Sequence, residues 1–306
     1  MNSRRKWYSR LLFLIVLVAV GWFIYENIGD LKAAKISFNR TYLALSFVFA
    51  VMAHLSNLFI WKYLASSFNL NADFIMTGKA WFLSRLGRFV PGKITILLVR
   101  FDLYKGHSKK MISAATIIEY VSSLASAGLI ILISILTTQI DLPLYFRLAA
   151  LGYVILLFTA LFTKLIHKVI NKGLTLLKKE PIDTFPSPAA LFKYVIWYFI
   201  PILLYGLSFY FLINSVSDIG FEYYLTLTGV YYSAGLIGLV VLFAPSGIGV
   251  REGILFLILP LLSIPKPIVI VVAIMIRLIA LAGEILLAGI FSLAEKISCS
   301  RSRIER

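Results

Sequence analysis

Apolar residues run through this chain in long blocks, and the polar residues gather between them. Apolar windows fall at roughly 8–25, 42–65, 74–104, 111–138, 145–166, 191–215, 223–264 and 267–293. About 20 apolar residues cross a bilayer as a helix, since a helix pairs all its backbone groups within the segment. Six windows read as plain helices. The windows at 74–104 and 223–264 are each broken by a Pro and Gly cluster that carries charge: Gly87-Arg88-Phe89-Val90-Pro91-Gly92-Lys93 and Pro245-Ser246-Gly247-Ile248-Gly249-Val250-Arg251-Glu252-Gly253. Broken backbone at membrane depth survives only where protein or a wet cavity covers it. The expected fold class is therefore an all-α polytopic membrane protein with six transmembrane helices and two re-entrant hairpins. Seven or eight crossings are the alternative, with two separate passes in the second broken window.

The first window follows Arg4, Arg5, Lys6 and Arg10 and resembles the start of a signal peptide. The next residues, Gly21-Trp22-Phe23-Ile24-Tyr25, are too bulky for a cleavage site, so an uncleaved helix with a cytoplasmic N-terminus is expected. With two hairpins that leave by the side they entered, most basic residues fall inside: the N-terminus, the loops around Lys62, Lys79, Lys105, Lys109 and Lys110, the stretch 164–193 and the tail 294–306. Lys32, Lys35, Arg40, Arg147 and Lys266 fall outside, which obeys the positive-inside bias. The order helix, helix, hairpin, helix then occurs twice with opposite starting sides, over 8–138 and 145–293 of a single transmembrane domain (1–306). This is an inverted repeat, the layout of many secondary transporters.

Composition narrows the class further. The chain is 60% hydrophobic and 14% charged, which excludes a soluble globular or disordered chain and leaves no room for a water-exposed catalytic domain. A net charge of +16 would point to nucleic acid in a soluble protein; here it follows from cytoplasmic loops lying against anionic headgroups. The lone Cys299 excludes an internal disulfide and a cysteine metal cluster, and no cofactor is implied.

Gly87 to Lys93 spells the opening of a nucleotide-binding loop, but Ile94 replaces the magnesium-binding hydroxyl and Pro91 occupies a donor position. Lys93 and Arg100 are seven apart on one helical face, and Lys93 opens a half-helix whose N-terminus favours an anion. Arg85 and Arg88 add charge to the other arm. These cations either form an anion-binding cluster or snorkel to cytoplasmic phosphates. Arg251 and Glu252 are either a local pair or one end of a gate. Glu119 and Arg277 are isolated charges in plain helices and each needs a partner inside the bundle. A pair between them across the repeat axis is expected, with Arg277 and Glu284 as the alternative. His54 with Asn57 reads as interhelical hydrogen bonding, and no metal site or catalytic triad follows from the spacing.

The two clusters, the Glu-bearing helix after the first and the late intramembrane Arg together resemble the flippase-like family related to the membrane part of lysylphosphatidylglycerol synthetases, over about residues 10–295. The resemblance implies a lipid-handling protein. Carried over by motif position, Pro91, Gly92, Lys93 and Arg100 would shape one lipid-phosphate site, and Pro245, Gly247, Gly249, Arg251, Glu252 and Gly253 the other. The soluble synthase domain is absent from these residues, so lysyl transfer is not implied. The expected function is a flippase of a prokaryotic cytoplasmic membrane for an anionic phospholipid or an isoprenoid-phosphate-linked sugar, with Glu119 or Glu252 as proton carrier. The alternative is a membrane-embedded enzyme or accessory for lipid or polysaccharide group transfer, or a scaffold for such an enzyme.

Overall fold

The computed structural model describes residues 37–87, 94–138, 140, 143–163, 165–176, 181–182, 185–240 and 249–304. Regular structure among them is helical throughout: α1 (Arg40–Ser66), α2 (Phe74–Leu86), α3 (Ile94–Leu103), α4 (Lys109–Thr137), α5 (Leu144–Phe162), α6 (Leu165–Leu176), α7 (Pro188–Asn214), α8 (Tyr224–Val240), α9 (Val250–Ile258) and α10 (Lys266–Ile304), with short 3-10 turns at Phe221–Tyr223 and Leu259–Leu262. The helix expected at 8–25 lies outside the described residues.

Helix starts follow local chemistry. Asn39 accepts from the N–H groups of Thr41 and Tyr42, Asp73 from that of Met76, and Ser187 from that of Ala190 just after Pro188 has opened α7. Five helices, α1, α4, α5, α7 and the Lys266–Ser298 part of α10, are long and apolar enough to cross a membrane. They coincide with five of the six plain windows, and the chain is a multi-pass membrane protein. Leu144, Leu156 and Leu257 are more than 60% exposed, a surface that water would penalise and lipid does not.

Both broken windows separate into two packed helices. Ser84 touches Arg100, and a Cβ on Gly87 would lie 3.1 Å from Thr95 and 3.3 Å from the Ile96 nitrogen, so α2 and α3 pack antiparallel. In the second window α8 packs on α9, which starts at Gly249 with φ +83°, a left-handed conformation that suits a residue without Cβ.

The two halves pack on each other by exchange. α1 runs along α7, joined by the Ser46 hydroxyl donating to the Ser208 carbonyl at 2.7 Å and by Tyr63 against Trp197. The first arm of each hairpin lies on the closing helix of the other half: Gly78 of α2 sits beneath Phe291 of α10, and Gly229 of α8 against Ser134 of α4. Likewise α1 meets α10, where His54 bonds the Ala280 carbonyl, and α7 meets α4, where Ser126 donates to the Val195 carbonyl.

Candidate functional site

The first hairpin holds a fully buried arginine. Arg100, near the end of α3, donates from Nη1 to Glu119 Oε2 at 2.6 Å and to Thr116 Oγ1 at 2.8 Å, and from Nε to Ser84 Oγ at 3.2 Å. Trp81 donates to the other Glu119 oxygen at 3.1 Å, and the guanidinium lies over the Trp61 ring at 3.7 Å. An arginine without solvent must be neutralised and bonded at several points, and this cage does both. Thr116 and Glu119 are three apart on one face of α4, as Trp81 and Ser84 are on α2, so one turn of each helix supplies the cage.

The second hairpin carries the same device with its signs reversed. Glu252, in the first turn of α9, accepts from the Gly249 N–H at 2.8 Å and meets Arg277 of α10 at 2.5 Å. In both halves the pair ties the second hairpin arm to the helix that follows. The second pair is less enclosed, with the Arg277 and Glu252 side chains 20% and 13% exposed against 0% and 7% for Arg100 and Glu119.

The expected Glu119 and Arg277 pair does not form. Each residue finds an opposite charge on the hairpin arm of its own half, one helix away, and burying both charges needs no contact across the repeat. Arg251 stacks over the Tyr231 ring at 4.2 Å and has no carboxylate partner among the described residues. Tyr231 in turn stacks on Tyr205 with ring centroids 6.2 Å apart, and Tyr205 bonds His54, so Arg251 and His54 border one aromatic region. Gly253 closes the first turn of α9 by donating to the Gly249 carbonyl at 3.0 Å. Arg88, Pro91, Gly92, Lys93, Pro245 and Gly247 lie outside the described residues.

A third charged cluster is built by α1, α2, α7 and α10. Glu284 is fully buried, with His54 Nδ1 at 3.8 Å and Arg85 Nε at 3.9 Å, and the Tyr205 hydroxyl reaches His54 Nδ1 at 2.8 Å. His54 is the interhelical hydrogen-bonder its sequence context implied, while the Asn57 amide donates to the Ala53 carbonyl of its own helix. Tyr205 and Tyr231 escaped the sequence reading because tyrosine is frequent throughout the chain. No group of three or more His, Cys, Asp or Glu residues suited to a metal ion occurs among the described residues.

Over residues 10–288 the chain matches the family described as the lysylphosphatidylglycerol synthase TM region. The chain belongs to this family. The match takes in both hairpins, both intra-half ion pairs and the Glu284 cluster, and it ends inside α10 before the basic tail at 294–306. Membership in the lysylphosphatidylglycerol synthase TM family agrees with the all-helical bundle and its five apolar helices. No curated protein gives a significant match.

Proposed function

We propose that this protein moves an anionic lipid headgroup, on a phospholipid or an isoprenoid-phosphate-linked sugar, across the cytoplasmic membrane of a prokaryote. The observation that carries the reading is Arg251: a cation in the first turn of α9, backed by an aromatic ring and without a carboxylate partner among the described residues. Around the two hairpins stand four described arginines, Arg85, Arg100, Arg251 and Arg277, and three glutamates, Glu119, Glu252 and Glu284. Among these described residues one positive charge is left over with His54 neutral, which a phosphodiester monoanion would balance.

Several features support hairpins that enter from opposite faces. α2, α3 and α9 hold 13, 10 and 9 residues. At 1.5 Å per residue each reaches about 20 Å or less, short of the hydrocarbon thickness of about 30 Å. The exchanged packing of the halves and the reversed signs of their ion pairs agree with an inverted repeat, and the positive-inside bias with cytoplasmic termini. In this reading Arg251 holds the phosphate while the acyl or prenyl chain stays in lipid.

Reconstitution with fluorescent phosphatidylglycerol tests the proposal: reagent added outside should reach nearly all the label in vesicles with protein and about half in empty ones. Equal accessibility in both contradicts it. Mass analysis of the same lipids detects group transfer, since translocation changes location and leaves composition alone.

A further inference from the structure

α6 (Leu165–Leu176) has two unlike faces. The inner face is fastened to the segment that follows it. Asn171 accepts from the Ile182 N–H at 2.8 Å and donates to the Ile182 carbonyl at 3.2 Å, while His167 Nε2 lies 2.7 Å from that carbonyl and its ring stacks on Phe185 at 4.8 Å. Ile166 is buried on the same side. With 3.6 residues per turn, Leu165, Val169 and Leu176 share the outer face, within about 40° of one another. These large apolar side chains are 44%, 62% and 77% exposed. Lys168 and Lys172, one turn apart and both exposed, border the stripe.

Charge around the helix is one-sided. No Asp or Glu occurs between Asp141 and Glu180, a stretch that holds Arg147, Lys164, Lys168, Lys172, Lys178 and Lys179. A partner that complements the outer face is therefore apolar along its centre and anionic beside it.

The neighbours of α6 fix its level. α5, long and apolar enough to cross a membrane, ends at Phe162, whose ring meets that of Phe192 near the start of α7 at 6.4 Å. The adjoining Lys193 stands over the Tyr63 ring at 4.7 Å and the Trp197 ring at 4.5 Å, and donates to the Tyr63 hydroxyl at 3.2 Å. An exposed lysine held by Tyr and Trp marks the headgroup layer. α6 starts three residues beyond the end of α5, hence at that layer.

We propose that α6 is a membrane-surface helix that binds the acidic phospholipids of the leaflet at which α5 ends. Leu165, Val169 and Leu176 enter the acyl boundary, and the Lys168 and Lys172 ammonium groups meet phosphates beside them, as a basic amphipathic helix does in an interface. Because α5 already holds α6 at the bilayer, the contact is intramolecular in effect and needs little affinity of its own. The lipid here is a neighbour and not cargo, so the inference stands or falls apart from the translocation reading.

The test uses the full chain with a fluorophore at Val169→Cys in a Cys299→Ser background, in nanodiscs of phosphatidylcholine at low salt. A small share of the lipid is either phosphatidylglycerol or phosphatidylcholine with a nitroxide near the top of one acyl chain. A lysine near an anionic surface favours it by about fivefold, so nitroxide phosphatidylglycerol should reach half-maximal quenching at an about twentyfold lower share than nitroxide phosphatidylcholine. Lys168→Gln with Lys172→Gln should remove the preference while both lipids still quench, and high salt should weaken it in the native sequence.

Equal quenching of the native sequence by the two nitroxide lipids overturns the proposal. So does quenching by aqueous iodide with none by either lipid, which would place the face in water. Protection from all three quenchers overturns it as well, because a second copy or another protein would then cover the stripe. The same readings from a label at Thr175→Cys, on the lysine side of the face, separate these results from any effect of the fluorophore on the apolar stripe.

Discussion

Arg100 and Glu119 meet at 2.6 Å in a part of the first half where the arginine has no exposed surface. Their counterparts in the second half are Glu252 and Arg277, with the acid on the hairpin and the base on the long helix. The two pairs do the same mechanical work of fastening a short helix to a long one. They differ in access, and under the proposed function that difference separates a fixed strut from a contact that a phosphate would compete for.

Removing one member of the first pair should be severe. Arg100→Leu leaves Glu119 charged in a closed cage, at a cost of about 3–5 kcal/mol. The double substitution Arg100→Leu with Glu119→Leu removes both charges and should recover much of that loss. Thermal unfolding in detergent reads the cycle; a double variant less stable than either single one would mean that the pair itself, and not an orphaned charge, dominates.

The second pair should separate by chemistry. Glu252→Gln keeps an oxygen to accept from the Gly249 N–H but releases Arg277, so stability should change little while short-chain phosphatidylglycerol binds more tightly. Glu252→Ala also loses the helix cap and should be less stable than Glu252→Gln by about 1 kcal/mol. Calorimetric binding and thermal unfolding measure the two effects, and weaker lipid binding by Glu252→Gln would contradict competition between carboxylate and phosphate.

Close packing of the halves makes a third prediction. A Cβ at Gly229 would fall 2.1 Å from Ser134 Oγ and 2.2 Å from its Cβ. Gly229→Ala should therefore cost about 1–3 kcal/mol through overpacking, and Ser134→Gly on α4 should relieve it in the double variant. Unfolding midpoints test this; no rescue would mean that α8 and α4 do not approach as closely as described.

Much of the helical layout is legible in the sequence because it depends on local rules. Five described apolar windows became long helices, and in the two broken windows the described helices end at Leu86 and Val240 and begin again at Ile94 and Val250. The need for partners at Glu119 and Arg277 is equally legible, since an unpaired charge at depth is too costly. The choice of partner is not. It depends on which helix faces which, and the exchange of hairpin arms between halves leaves no mark on hydrophobic periodicity. Nothing in the sequence marks Trp61 and Trp81, yet they roof and bond the Arg100 cage. Glu284 reads as a neighbour of Arg277 seven residues away, whereas the fold sets it beside His54, 230 positions earlier in the chain, and Arg85.

Leaflet exchange of fluorescent phosphatidylglycerol by Arg251→Ala, compared with the native protein and empty vesicles, tests the central claim most directly. Among the described residues Arg251 has no carboxylate to strand, so the variant should fold normally. Losing a charge-assisted contact of about 1.5–3 kcal/mol should slow exchange by about tenfold or more. A folded Arg251→Ala protein that moves the lipid at the native rate would contradict the account.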